Sequence, residues 1–377
     1  MSTAVHAPIP EAWGPLYFVV GCPRSGTFLV ASILNRSGSI AIPTETHFVA
    51  LFPRFLWLAG DWRRPPARRR AARAVCSFLR VWMQRSEEQR DLRAMTRHSL
   101  LAVAPAAEEL ALGSASYAEF VARLFAAYAQ GNGAALAGDK SAYYRHVALG
   151  AIDRAVGGRA RFIHVLRDGR DTWLSWRRWR WGPPHPAEAG RLWAEHVREK
   201  RRWGREHPDR YCELRYEDLL RQPEAELRRL CGFVGLDYSP DLLRFHEQPY
   251  AADLANSRSH QKLGQPLDPS NTGKWRQEMN PGEIAPFEHI ARAELAAAGY
   301  PLATSPAAGL RAWRLTTRAW FQRALAAGSL RHLQLGLKAL LPAAALVSLR
   351  LGFPLERLCN SRAWLAVERG LTGPPKS

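Results

Sequence analysis

Nowhere is this chain apolar for long enough to cross a bilayer. The longest such run near its end, Ala339 to Leu349, lies between Lys338 and Arg350 and contains Pro342, well short of the ~20 residues a spanning helix requires. Cysteine is scarce. Cys22, Cys76, Cys212, Cys231 and Cys359 are odd in number, scattered, and form no C-x-x-C pair, so neither a disulfide framework nor a thiolate zinc site is indicated. The twelve histidines are dispersed, and with no His/Cys cluster at ligand spacing no catalytic metal is expected. The opening MSTAVHAPIPEAWGP has no basic n-region and no apolar core. It does not read as a secretory signal, and a reducing cytoplasm is the expected compartment. Acidic residues are outnumbered 34 to 53, leaving a net charge of +19, so the surface field favours anionic ligands, nucleic acid or acidic membranes.

What is present is a repeated order of strand, then loop, then helix. Leu16 to Val20 (LYFVV) is an apolar run without polar alternation, the pattern of a strand covered on both faces. It leads into GCPRSGT and then into FLVASILNRSG, whose helical spacing stops at Gly38. A short second strand is expected over Ser39 to Ile42, ended by Pro43. Residues 51–130 read as a helical insertion rich in arginine (Arg63, Arg64, Arg68, Arg69, Arg70, Arg73) that can cap the sheet. Further strands are expected at Ala134 to Ala137, Arg161 to Leu166 and Tyr211 to Leu214, the last two followed by helices. This order predicts a three-layer α/β fold with a central parallel sheet and right-handed crossovers. Composition shifts towards Leu, Ala and Arg after Tyr300-Pro301. Residues 1–304 are therefore read as one domain, and 305–377 as a basic helical C-terminal extension.

The most informative segment is Gly21-Cys22-Pro23-Arg24-Ser25-Gly26-Thr27, set between the first strand and its helix. Two glycines five positions apart let backbone N–H groups turn inward around an anion, and the helix adds its positive end. A nucleotide-hydrolysing loop would read G-x-x-x-x-G-K-[ST]. Here Thr27 follows Gly26 and the only cation in the loop is Arg24, which disfavours ATP and GTP. Arg24, Ser25, Gly26 and Thr27 suit a smaller anionic end such as a phosphosulfate, with the cation near the oxygen where leaving-group charge develops.

At these residues the sequence resembles the sulfotransferases that use 3′-phosphoadenosine 5′-phosphosulfate (PAPS), whose 5′-phosphosulfate loop commonly reads P-R/K-S-G-T-T/S. Pro23-Arg24-Ser25-Gly26-Thr27-Phe28 matches it except at Phe28, where a second hydroxyl is usual. Arg167-Asp168-Gly169-Arg170-Asp171-Thr172-Trp173-Leu174-Ser175 resembles the family's R-D-x-x-D-x-x-x-S run. The resemblance implies that Arg167 and Ser175 hold the donor's 3′-phosphate, and that Gly273, Lys274 and Arg276 of Asn271-Thr272-Gly273-Lys274-Trp275-Arg276 complete that site. Thr44-Glu45-Thr46-His47-Phe48 resembles the E-x-H-F segment of heparan-type carbohydrate sulfotransferases, which implies Glu45 as catalytic base, with His47 the alternative. Asp139-Lys140-Ser141-Ala142-Tyr143-Tyr144 resembles the E/D-K-S/T-x-x-Y element, which implies Lys140 at the active centre. Tyr216-Glu217-Asp218-Leu219 also matches a recurrent family segment and is assigned to architecture. The implied fold is the P-loop NTPase-like one, the implied chemistry sulfuryl transfer to a hydroxyl or amine, with product adenosine 3′,5′-bisphosphate (PAP) and no metal.

Two rival readings are a basic nucleic-acid-binding protein and a P-loop nucleotide kinase. No recognised strand- or groove-binding motif supports the first, and the missing Gly-Lys-Ser/Thr weakens the second, so no nucleic-acid partner is expected. Trp173, Trp176, Trp179, Trp181, Trp193 and Trp203 interleave with Arg177, Arg178, Arg180, Arg198, Lys200, Arg201 and Arg202. They read either as an acceptor-stacking surface or as core residues with arginine stems across them. In the tail, Leu310, Trp313, Trp320 and Phe321 alternate with Arg311, Arg314, Arg318 and Arg323. Packing on the domain or homodimerisation is the first reading, and a peripheral contact with an acidic membrane face the second.

Overall fold

The computed structural model describes residues 14–84, 97–141, 149–179, 182–255, 260–307 and 341–350. Five strands, β1 (Leu16–Gly21), β2 (Ile40–Ala41), β3 (Leu136–Lys140), β4 (Ala160–Leu166) and β5 (Tyr211–Arg215), form one sheet in the order β2-β3-β1-β4-β5. Every pairing is parallel. The helices used below are α1 (Thr27–Arg36), α2 (Pro65–Gln84), α3 (Tyr117–Gly131), α4 (Gly169–Trp176), α5 (Pro186–Glu206), α6 (Tyr216–Arg221), α7 (Pro223–Val234), α8 (Pro281–Ala297) and α9 (Leu341–Arg350).

β1 reads as a continuous apolar run because both of its faces are covered. Along β1, Leu16, Phe18 and Val20 join the core built by α2 and α3, while Tyr17 and Val19 join the one built by α1 and α7. β4 alternates in the same sense, with Ala160 and Phe162 on one side and Ile163 and Val165 on the other. The arginine-rich insertion is thus one layer of the fold. Its α2 and α3 carry Phe78, Phe120 and Phe125, each fully buried, into the core under β1. Helix α9 joins the same cluster through Ala345 and Leu346. The tail residues Leu310, Trp313, Trp320 and Phe321 lie outside the described residues. Among those described, no helix is long and apolar enough to cross a membrane.

One sequence expectation needs correction. The third strand is Leu136–Lys140 rather than Ala134 to Ala137, so Asp139 and Lys140 are strand residues and not part of a following loop. Gly, Asp and Lys are poor strand formers by propensity, but pairing of Asp139 with Phe18 and Lys140 with Val19 overrides it. The tryptophan cluster is chiefly core: Trp173, Trp176, Trp193 and Trp203 are buried. Trp181 falls outside the described residues, and Trp179 lies beside Arg24, 5.6 Å from its guanidinium carbon.

The third cluster joins α4, α5 and α8. They approach closely at Gly169, where an added Cβ would come within 2.6 Å of Trp193 and 2.7 Å of Phe287. Beneath them Arg170, wholly buried, bonds Asp168 at 2.7 Å and Glu288 at 2.5 Å and stacks 3.5 Å over the Trp275 ring. Glu288 also accepts from the backbone N–H of Ala303 and Thr304, tying the segment after α8 to the start of α4. Removing one partner of a buried ion network leaves charges uncompensated. Arg170→Met is therefore expected to lower unfolding stability in urea by about 3–5 kcal/mol, and a loss under about 1 kcal/mol, the median value of a surface pair, would show that the network carries little.

Candidate active site

At the carboxyl ends of β1, β3 and β4 a cleft of ≈ 360 Å³ opens, within the ~300–1,000 Å³ typical of small-ligand sites. It is lined, among others, by Arg24, Gly26, Thr27, Phe28, Glu45, Lys140, Arg167, Ser175 and Lys274. Segments far apart in sequence thus meet at one place. Open α/β sheets bind ligands here, where connections leave neighbouring strands in opposite directions.

The glycine loop is built to expose donors. Gly26 caps α1 in a left-handed conformation, φ 103°, without a side-chain cap, so the first N–H groups of the helix have no intrahelical acceptor. A side chain at Gly26 would come within 2.6 Å of the Tyr216 ring, which makes glycine obligatory on both counts. Among the described residues only Arg24 (φ 73°) and His47 (φ 54°) are non-glycine residues with positive φ. Such conformations cost on the order of 1–3 kcal/mol and gather at functional sites.

Arg24 Nε donates to Ser175 Oγ at 3.2 Å, joining the glycine loop to α4. Arg167 donates to the Arg24 carbonyl at 3.2 Å and to the Asn271 carbonyl at 3.0 Å, with its guanidinium carbon 4.4 Å from the Tyr216 ring centre. Two buried polar atoms here, Ser25 Oγ and Arg167 Nε, have no hydrogen-bond partner among the described residues. Buried polar groups are rarely left so. A loop of exposed N–H groups, two arginines and an unpartnered hydroxyl fits a multiply charged phosphate or sulfate ligand.

Asp171 and Tyr216 are the residues that sequence reasoning undervalued. Asp171 accepts from the backbone N–H of Gly273 at 2.6 Å and of Trp275 at 2.8 Å, which fixes the basic segment against α4. Burial raises its carboxyl above the ordinary value, despite Arg167 and these two N–H groups. Lys274 faces the cleft, whereas Arg276 is exposed and stacks on Trp275 at 4.6 Å. Gly273 serves the turn, with φ 69°. Tyr216, assigned above to architecture, lines the cleft and also accepts a hydrogen bond from Asn271 Nδ2 at 2.7 Å. Its position after β5 was the available signal.

On the other side of the glycine loop, Lys140 Nζ donates to Glu45 Oε1 and His47 Nε2 lies 3.0 Å from Glu45 Oε2. Lys140 and His47 are buried, and Glu45 is part-exposed to the cleft. His47 does not line the cleft. Its ring packs at a tilt against Trp82, 4.3 Å between ring centres, and its backbone N–H, like that of Thr46, donates to Ser141 Oγ. Of the two, Glu45 lines the cleft and His47 contacts it through the Glu45 carboxylate. Of the Asp139-to-Tyr144 element, Ala142, Tyr143 and Tyr144 lie outside the described residues. Among those described, no group of three or more His, Cys, Asp or Glu residues is placed to hold a metal ion.

A glycine loop at a strand-helix junction of a parallel sheet, with a carboxylate-lysine pair beside it, is the arrangement of the P-loop-like α/β class. The model of the sulfotransferase family matches residues 15–240, and the chain belongs to that family. Two solved structures share its fold. The sulfotransferase domain of the Synechococcus PCC 7002 olefin synthase aligns with a TM-score of 0.53 at 22% identity, over 80% of this chain and 99% of that one. The sulfotransferase domain from the curacin biosynthetic pathway aligns with a TM-score of 0.53 at 19% identity, over 78% of this chain and 100% of that one. No curated protein matches the sequence.

Burial would raise the Glu45 carboxyl, but the Lys140 ammonium and His47 outweigh it and hold the group well below the usual carboxylate range. A group with a depressed pKa is charged above that pKa and loses its charge only as pH falls through it. Activity that needs the Glu45 carboxylate should then show no acid limb from it between pH 5 and 8. In Lys140→Met only His47 still opposes the effect of burial, and any acid limb of the residual activity should move to higher pH than in wild type. A pH–kcat/KM profile unchanged in shape would contradict the coupling.

Proposed function

We propose that the protein moves a sulfuryl group from PAPS to a hydroxyl or amine acceptor. The observation that carries this is the joining of the two anion-binding segments, Arg24 to Ser175 at 3.2 Å and Arg167 to the Arg24 carbonyl at 3.2 Å, beside the Glu45–Lys140 pair. Family membership supplies the class of reaction, and the absence of a Gly-Lys-Ser/Thr loop argues against nucleotide kinase chemistry.

In this reading Arg24, Ser25, Gly26, Thr27 and the Phe28 backbone hold the phosphosulfate end, while Arg167, Ser175 and Lys274 hold the 3′-phosphate. Two charged groups on one ribose suit two neighbouring cradles, because bidentate arginine contacts fix both charge and orientation. Glu45 takes the proton that the acceptor loses as its oxygen or nitrogen bonds to sulfur. Arg24 and Lys140 stabilise the charge left on the bridging oxygen as its bond to sulfur breaks and PAP departs. Such a displacement asks the protein for positioning and charge stabilisation rather than covalent chemistry.

A sulfur-labelled donor incubated with the protein and an extract of host metabolites, followed by identification of the labelled product, tests this directly. Glu45→Gln should cut transfer by roughly 10²–10⁴-fold, the usual contribution of a general base, while sparing PAP affinity. Arg24→Ala and Arg167→Ala should each weaken PAP binding by roughly 10- to 100-fold, the loss of one or two charge-assisted hydrogen bonds. Unchanged affinity in both arginine variants would overturn the site assignment, and labelled phosphate transfer from ATP would overturn the reaction.

A further inference from the structure

At the position where the glycine loop's resemblance calls for a second hydroxyl, this chain has a phenyl ring, and that ring has a defined neighbour. The Lys140 ammonium lies 3.3 Å from the centre of the Phe28 ring, while the same ammonium donates to Glu45. Lys140 is 1% exposed, so the cation is held between a carboxylate and an aromatic face, out of bulk water. On the His260 side the ring packs against the imidazole, 4.1 Å between ring centres. Phe28 is the second residue of α1 and Lys140 the last of β3, and both border the cleft.

A ring face attracts a cation through its quadrupole, and the attraction grows as the pair is desolvated. The ring offers no hydrogen bond to an anion. Exchanging hydroxyl for phenyl at this place therefore removes a donor from the anion cradle and gives a seat to the lysine beside it. A lysine is a flexible point charge on a four-carbon stem, and a ring face beside it narrows the positions its ammonium can take.

We propose that Phe28 is a positioning residue for sulfuryl transfer: its ring seats the Lys140 ammonium between Glu45 and the anion cradle. The proposal rests on the transfer reaction proposed above for its kinetic consequences, but the seat itself does not depend on the donor's identity. Phe28 acts through Lys140, so its contribution belongs to kcat more than to donor affinity.

The test uses the full-length protein and two measurements. In the ligand-free protein, a ring that seats the ammonium shifts the Lys140 ε-methylene resonance upfield. The shift should be present in wild type and Phe28→Tyr and lost in Phe28→Leu. In turnover, Phe28→Leu should lower kcat about 5- to 30-fold, the range of a desolvated cation–π contact. PAP affinity should change less than twofold, and Phe28→Tyr should restore kcat. Phe28→Thr, which returns the hydroxyl, should bind PAP at least as well as wild type yet lose kcat like Phe28→Leu. In a Lys140→Met background Phe28→Leu should cost nothing further, as expected when one residue acts only through the other. An unshifted wild-type resonance, full kcat in Phe28→Leu, or additive losses in the double variant would overturn the proposal. A shifted resonance in a wild-type protein that does not bind PAP would instead refute the donor reading and leave the Phe28–Lys140 seat standing.

Discussion

Because β1 is hydrogen-bonded in parallel to both β3 and β4, the chain leaves all three strands at one edge of the sheet. That single constraint sets the glycine loop after β1 beside Lys140 at the end of β3 and Arg167 after β4. Antiparallel pairing would send these loops to opposite edges and separate the groups. Covering both faces with helices makes the parallel sheet stable, and the arginine-rich insertion and α9 supply one of those covers. Three of the insertion's arginines tie its own segments together. Arg68 and Arg70 cap backbone carbonyls at Trp62, Leu112 and Ala59, and Arg73 pairs with Glu108.

The charge arrangement within the cleft follows from the same edge. Positive groups converge from several elements, Arg24 from the loop, Lys140 from β3, Arg167 from the end of β4 and Lys274 from the segment clamped by Asp171. Among the carboxylates that line the cleft, Glu45 is kept in its charged form by Lys140 and His47. Like charges gathered without a ligand repel one another, and here backbone carbonyls, Ser175 and the Tyr216 ring receive part of that charge. In the proposed reading an incoming dianion replaces those contacts with stronger ones.

Much of the fold was legible in the sequence, because β1 and most of β4 are apolar runs, β5 alternates in burial, and each is followed by a turn or a helix. The glycine loop and the Arg167-to-Ser175 run were legible for the same reason: their residue types are required by tight turns and anions. β3 was misplaced because Gly138-Asp139-Lys140 lacks strand propensity and owes its conformation to pairing with β1. The clamp from Asp171 to Gly273 and Trp275 joins segments separated by a hundred residues, and no local pattern announces such a contact. The contact of Phe28 with Lys140 was hidden likewise. From sequence Phe28 was only a missing hydroxyl, whereas in space its ring faces a cation. That Glu45 lines the cleft while His47 does not also needed coordinates, since their spacing alone lets either reach it.

The central claim is that two neighbouring cradles grip the two phosphate ends of one nucleotide. Calorimetric titration with PAP, adenosine 5′-monophosphate and adenosine 3′-monophosphate tests it most directly, because the monophosphates each remove one end. A site built this way binds PAP at least roughly 100-fold more tightly than either, the worth of one lost set of charge-assisted contacts. Equal affinity for PAP and a monophosphate would contradict it.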